Sequence, residues 1–272
     1  ANVSGNTAMA NSNGISLIGD NGTLTGNTAA SNVGNGIKVT GKKPVITSDN
    51  VIHDNGGYGL YVTSDNINLS GFDIYNNGLD GIYAPGQNVT ISNNKITNNG
   101  GNGISVTGDN EIVTGNTVTN KGNIGISIWG NNAFVYNNVV INSIENGISI
   151  NGINATVSWN TVKNSTIDGI FITYYSTKLL DGELANANVL NNIITDCGGS
   201  GIVVNGNYAL ISENTLSNNG KNGSDGGNGI LVNGDNVTIY KNNAVNNNGS
   251  GILVNGVTAN ICENTANLNG NN

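Results

Sequence analysis

The sequence predicts an all-β fold: a right-handed, single-stranded parallel β-helix of about twelve coils of ~22 residues, with asparagine ladders. Three observations predict it. A Gly–Ile/Leu step returns at a fixed interval, short stretches alternate apolar with variable residues, and columns of Asn keep register with both.

The step comes first. Gly precedes Ile or Leu at Gly14, Gly36, Gly59, Gly81, Gly103, Gly125, Gly147 and Gly169, an interval of 22 residues with a single 23. It resumes at Gly201, Gly229 and Gly251 after intervals of 32, 28 and 22. The two long intervals place insertions near 174–187 and 219–227, within one solenoid domain spanning 1–272.

Each unit then divides into three short strands. The first alternates apolar and variable residues, as in Ile104-Ser105-Val106 and Ile148-Ser149-Ile150, the period of a half-buried strand. A Gly column follows (Gly86, Gly108, Gly130, Gly152), which marks a turn. A second strand (Val89-Thr90-Ile91) and a third, anchored by Ile74, Ile96, Val118, Val140, Val162 and Ile194, complete the coil. A unit this small cannot close its own core, so stacking must supply one continuous apolar column.

Asparagine supports the stacking. Asn6, Asn27, Asn50, Asn94, Asn116, Asn138, Asn160, Asn192, Asn214, Asn242 and Asn264 share one position, broken by Phe72. Stacked amides can bond from coil to coil, and Asn tolerates left-handed backbone. A second column is read at Asn76, Asn98, Asn120, Asn142 and Asn164, with Asp54 and Asp196 in register.

Composition limits the partners. Gly 41 in an Asn-rich chain would suggest disorder, but 36% of residues are hydrophobic, Pro is only 2, and the period supplies a core. Nine Lys, no Arg and seventeen acidic residues give a net charge of -8, which excludes nucleic acid and anionic membrane surfaces. No apolar run is long enough to span a bilayer. The start at Ala1, without Met, suggests a processed chain or part of a longer or assembled protein. Head-to-tail self-association of coils, suggested by the matching end repeats, is the alternative to excision from a longer chain that supplied the caps. Cys197 and Cys262 differ in register and are expected to be free thiols.

The pattern N-G-I-x-V-x-G-x-N-V-T-I-x-x-N resembles the right-handed parallel β-helix repeat of the pectate-lyase-like superfamily. It is closest in look to secreted and surface adhesin-like β-helix proteins of methanogens and bacteria. The resemblance covers nearly the whole chain and implies an extracellular or cell-surface location. Catalytic signatures of the enzymatic members are absent: there is no Arg, no Gly-His-Gly and no Tyr-Asp-Pro-His-Glu. No cofactor or metal site is expected, calcium being the one ion the resemblance leaves open.

Polar chemistry concentrates in the coils between residues 38 and 102. The repeat register stacks Tyr61 on Tyr83, Tyr58 on Asp80, His53 on Tyr75 and Asp73 on Lys95. His53, Tyr75 and Asp80 are the catalytic candidates, since a base and an acid could serve β-elimination or epimerisation. Tyr58, Tyr61 and Tyr83 are the ligand-binding candidates, as ring faces suit sugars. The bland alternatives are a cross-strand charge pair at Asp73–Lys95 and a solvated turn at His53–Asp54. Asp65 and Asp109 have a spacing compatible with a glycosidase pair, but they stand in an Asp/Asn turn column, which favours turn chemistry. Phe171, Val203, Leu231 and Leu253 form an outward apolar stripe expected to be covered by the insertion from Tyr174 to Leu180, a partner interface being the alternative. A Thr array for ice fails at Phe134, Tyr136 and Tyr240.

The leading expectation is therefore an extracellular structural or adhesive scaffold that binds a polysaccharide or glycan surface. The alternative is a polysaccharide lyase, epimerase or hydrolase with its site in residues 38–102.

Overall fold

The computed structural model describes residues 1–174, 186–222 and 226–270. They form a parallel solenoid of about eleven turns with three sheets and, among the described residues, no α-helix. Sheet I has eleven strands, from Ile15–Ile18 to Ile252–Asn255. Sheet II has a run of three, Asn2–Ser4 to Val45–Ile46, and a run of nine, Asn68–Ser70 to Asn260–Cys262. Sheet III has twelve, from Thr7–Met9 to Thr265–Asn267. Strands pair in parallel with their equivalents one coil away, except between Val45–Ile46 and Asn68–Ser70 at the break in sheet II, so the sequence repeat is the sheet register.

Alternation decides which side chains enter. Ile104, Val106, Val113 and Val118 are fully buried and stack on the equally buried Ile126, Ile128, Val135 and Val140 of the next coil. Each such Ile or Val contributes about 1.5–3 kcal/mol over its exposed state. Their strand neighbours Thr117 and Phe134 face outward.

The corner between sheets II and III needs left-handed backbone followed by a polar plug. Asn93 has φ 55, and Asn94 turns inward behind it, 2% exposed. Its Nδ2 donates to Leu69 O at 3.0 Å and to Asn116 Oδ1 at 2.9 Å, while Asn94 N donates to the same Oδ1 at 3.0 Å. The amide that would be costly to bury is thus satisfied within the ladder. At the interruption the Phe72 N–H still donates to Asn94 Oδ1 at 2.9 Å, but the series breaks on its other side, where Asn50 Nδ2 donates to Leu24 O at 3.1 Å and Thr47 O at 2.6 Å instead.

The second ladder differs from the sequence expectation by one residue. The inward amides are Asn32, Asn55, Asn77, Asn99 and Asn120, bonded in series, and later Asn219, Asn247 and Asn269. Asn76, Asn98, Asn142 and Asn164 occupy the outer left-handed position instead, at φ 57, 53, 65 and 56. Asn120 alone of the expected set is part of the buried ladder. Cys197 takes a ladder position, and burial pushes its thiol up to about 11. Both cysteines are free, Cys262 being exposed.

One inward position breaks the pattern. The corner column between sheets I and II reads Ile67, Val89, Glu111, Ala133, Ala155, Ala187, Ala209 and Val237. Glu111 is fully buried, and neither carboxyl oxygen has a hydrogen-bond partner. Desolvation, with the nearby Asp109 charge adding to it, raises its carboxyl to about 8.

Candidate functional site

The outward residues at the second position of the sheet I strands form an axial track. Register places Lys38, Tyr61 and Tyr83 one after another, then Ser105, Ser127 and Ser149, then Phe171, Val203, Leu231 and Leu253. Adjacent coils lie about 4.8 Å apart along the axis.

The tyrosines expected at this end converge. The Tyr61 and Tyr83 rings are 5.3 Å apart and 7° from parallel. Tyr58, from the turn leading into sheet I, lies 4.9 Å from Tyr83 and 5.6 Å from Tyr61. The Lys38 Nζ sits 5.3 Å from the Tyr61 centroid, within cation–π range. Burial, and then the Asp80 charge, push the Tyr58 hydroxyl above its usual range. Asp80 is half-buried, and desolvation raises its carboxyl against the pull of the Asn102 N–H, which donates to Oδ1 at 2.7 Å. The result is a three-ring platform with one cation above it and one acid at its side.

His53 and Tyr75 are also stacked, at 4.8 Å and 2°, but they face outward from sheet III. His53 Nδ1 lies 2.7 Å from Asp54 Oδ2, and this hydrogen bond is the main cause of the lowered Asp54 carboxyl. Asp80 instead ends the turn that enters sheet I. The three catalytic candidates therefore divide between two sheets, while the three binding candidates share one track. Asp73 and Lys95 pair at 2.9 Å on the exposed surface of sheet III, the ordinary cross-strand pair.

Sequence reasoning missed Trp129. It closes the sheet I strand Ile126–Trp129, pairs with Thr107 and Asn151, and is 58% exposed. It stands two coils beyond Tyr83, beside the serine floor. The available signal was an aromatic in a column otherwise holding mostly Thr and Asn, with Ile18 and Pro85 the other departures.

Further along, the track becomes apolar. Phe171, Val203, Leu231 and Leu253 line a groove bordered by Asp168 and Asn228 on one side. On the other side Asn233 donates to Asn205 at 2.7 Å and Asn255 to Asn233 at 2.8 Å, an exposed amide ladder. Residues 175–185, the bulk of the insertion expected to cover this stripe, lie outside the described residues.

Asp65 and Asp109 are engaged in their turns. Asp65 Oδ1 accepts the Gln87 N–H at 2.8 Å, and Asp109 Oδ1 the Asn131 N–H at 2.7 Å. Each acid caps the turn of the following coil, as turn chemistry requires. Among the described residues no group of three or more His, Cys, Asp or Glu gathers to hold a metal ion, and no helix is long and apolar enough to cross a membrane.

A surface depression away from the tyrosines, beside the Lys221–Asp196 ion pair of 2.7 Å, is lined by no aromatic side chain.

The family model for the right-handed beta helix region matches residues 1–144 and 146–272. No curated protein sequence matches the chain. Among solved structures, a variant of the periplasmic alginate epimerase AlgG superposes with a TM-score of 0.63 at 15% identity, over 92% of this chain and 70% of that one. The A-module of the Azotobacter vinelandii mannuronan C-5 epimerase AlgE6 gives 0.60 at 14%, over 97% and 90%. The Dettilon tailspike protein gives 0.61 at 15%, over 94% and 61%. At these identities the likeness establishes the fold and leaves the chemistry to the site. The chain belongs to the right-handed β-helix family.

Proposed function

We propose that this chain is an extracellular β-helix scaffold that binds a polysaccharide laid along the outer face of sheet I. The observation that supports it is the convergence of Tyr58, Tyr61 and Tyr83 within 4.9–5.6 Å of one another at the head of a straight track. Tyrosine presents an apolar ring face and a polar hydroxyl together, which suits the CH face and the hydroxyls of a sugar. Coil spacing of about 4.8 Å is close to the length of one pyranose residue, so a linear chain can meet equivalent positions in successive coils. Trp129, 58% exposed, extends the contact beyond the first ring pair, while Ser105 and Ser127 between them are buried. The structural neighbours, two named for alginate or mannuronan epimerisation and one a tailspike, are consistent with a polysaccharide ligand.

Native gels cast with soluble polysaccharides test the binding. Wild-type chain is expected to be retarded by at least one polymer, and Tyr61→Ala/Tyr83→Ala to weaken that retardation by about tenfold or more, equivalent to about 1.4 kcal/mol. Undiminished retardation of the double variant would move the site elsewhere.

A second reading is a polysaccharide-active enzyme, and one observation favours it. Asp80, with its raised carboxyl, stands beside Tyr58 at the edge of the same track, as an acid and its partner would. New reducing ends or unsaturated products in the same incubations, lost in Asp80→Asn, would establish it.

A further inference from the structure

Sheet II carries a feature that the sheet I track does not explain. Trp159 has φ 58 and is 63% exposed. Its corner column holds Gly71, Asn93, Gly115, Asn137 and Asn191 in other coils, the residues that accept left-handed backbone readily. Glu213, Lys241 and Glu263 also occur there, and of these Lys241 and Glu263 pair at 3.7 Å. A bulky aromatic in this backbone is an outlier that disfavours the fold by about 1–2 kcal/mol. Its indole gains little burial in return. Local strain kept without a packing reward marks a position held for another purpose.

The neighbouring coil supplies company. Phe134 and Tyr136 project outward from one strand, with ring centroids 4.7 Å apart, and Phe134 is 41% exposed. Tyr136 pairs with Ser158, the residue immediately before Trp159. The residues paired with Phe134 and Tyr136 on either side are Ile112, Thr114, Thr156 and Ser158, all uncharged and three bearing hydroxyls. The patch is short along the axis, because Thr90 and Ser92 occupy the equivalent positions beyond Ile112. Three aromatic side chains on two adjacent coils are few beside the roughly 20–30 residues a side of a stable protein interface, yet they give rings bordered by hydroxyl-bearing residues at the scale of one or two sugars.

We infer that Phe134, Tyr136 and Trp159 form a second carbohydrate platform, on a different face from the sheet I track, that stacks uncharged pyranose rings. The platform stands on its own geometry, although two binding faces on one rod also let the scaffold bridge polysaccharide chains.

The test uses Trp159→Asn in the full chain, since Asn already occupies this corner at Asn137 and Asn191. The probes are xylan, mixed-linkage β-glucan and galactomannan in native gels. Retardation by at least one probe is expected to fall about fivefold or more, while the melting temperature rises by about 2–4 °C as strain is relieved. Trp159→Tyr is expected to retain the binding. Full retardation of Trp159→Asn on every probe, or wild-type chain bound by none of them, overturns the platform. So does a melting temperature that fails to rise. A fall from dimer to monomer in sedimentation, caused by Trp159→Asn, would make the patch an interface between copies and overturn it as well. The Tyr61→Ala/Tyr83→Ala chain keeps the two sites apart. If that variant binds normally and Trp159→Asn does not, the sheet I reading fails and this one stands.

Discussion

Ile126→Asp is expected to destroy the single cooperative unfolding transition of the chain. Ile126 is fully buried and stacked between Ile104 and Ile148 near the middle of the rod. A carboxylate there meets only hydrocarbon above and below, and an unpaired buried charge disfavours the fold by several kcal/mol. That is a large share of the 5–15 kcal/mol typical of a domain. In a solenoid the damage falls on the two interfaces made by one coil, so the outcome is global unfolding or two separate transitions for the flanking halves. Thr117→Asp is the matched control, because Thr117 is exposed on an equally central coil. Its melting temperature should move by little. Circular dichroism melts of both variants read this directly, and an unchanged single transition for Ile126→Asp would contradict the stacked core.

Glu111 gives the second large effect, and its direction depends on pH. The folded chain holds the Glu111 proton up to about pH 8, against an ordinary value of 4.5 in the unfolded chain. Between those values the folded state binds more protons, so stability falls as pH rises. The contribution is intact below about pH 4.5 and lost by about pH 8. By linkage the gap corresponds to at most about 5 kcal/mol. Glu111→Ala restores the residue found at 133, 155, 187 and 209 in the same column. The variant is expected to melt well above wild type at pH 8 and to lose most of that advantage at pH 4. Urea titrations at the two pH values check it. Parallel stability curves for the two chains would show that the carboxyl finds a partner or reaches water.

Much of this was legible in the sequence, for a geometric reason. When coils stack in register, residues 22 apart become neighbours, so spacing in the chain reads as contact in space. The core columns, the first Asn ladder, the Tyr61–Tyr83 stack and the His53–Tyr75 stack all follow from that rule. What the period cannot decide is which of two adjacent asparagines points inward. Asn76 and Asn77, or Asn98 and Asn99, are alike in type, and only the left-handed φ of the first turns the second into the ladder. Register also failed to show Tyr58 leaning across to Tyr83, because that contact joins a turn to a strand of the next coil. Trp129, Trp159 and Glu111 were overlooked for a common reason. Each departs from its own column, and a reading that seeks what repeats passes over what does not. Departures from the repeat are where function or strain should have been sought.

The most direct test of polysaccharide binding along sheet I is hydroxyl-radical footprinting of the full chain, with and without a saturating polymer identified in the gels. Side chains shielded by the ligand lose oxidation, and every aromatic residue reports at once. The account predicts protection of Tyr58, Tyr61, Tyr83 and Trp129 together, with His53 and Tyr75 on sheet III unchanged. Protection confined to sheet III, or uniform oxidation of the four track aromatics in the presence of bound polymer, would contradict it.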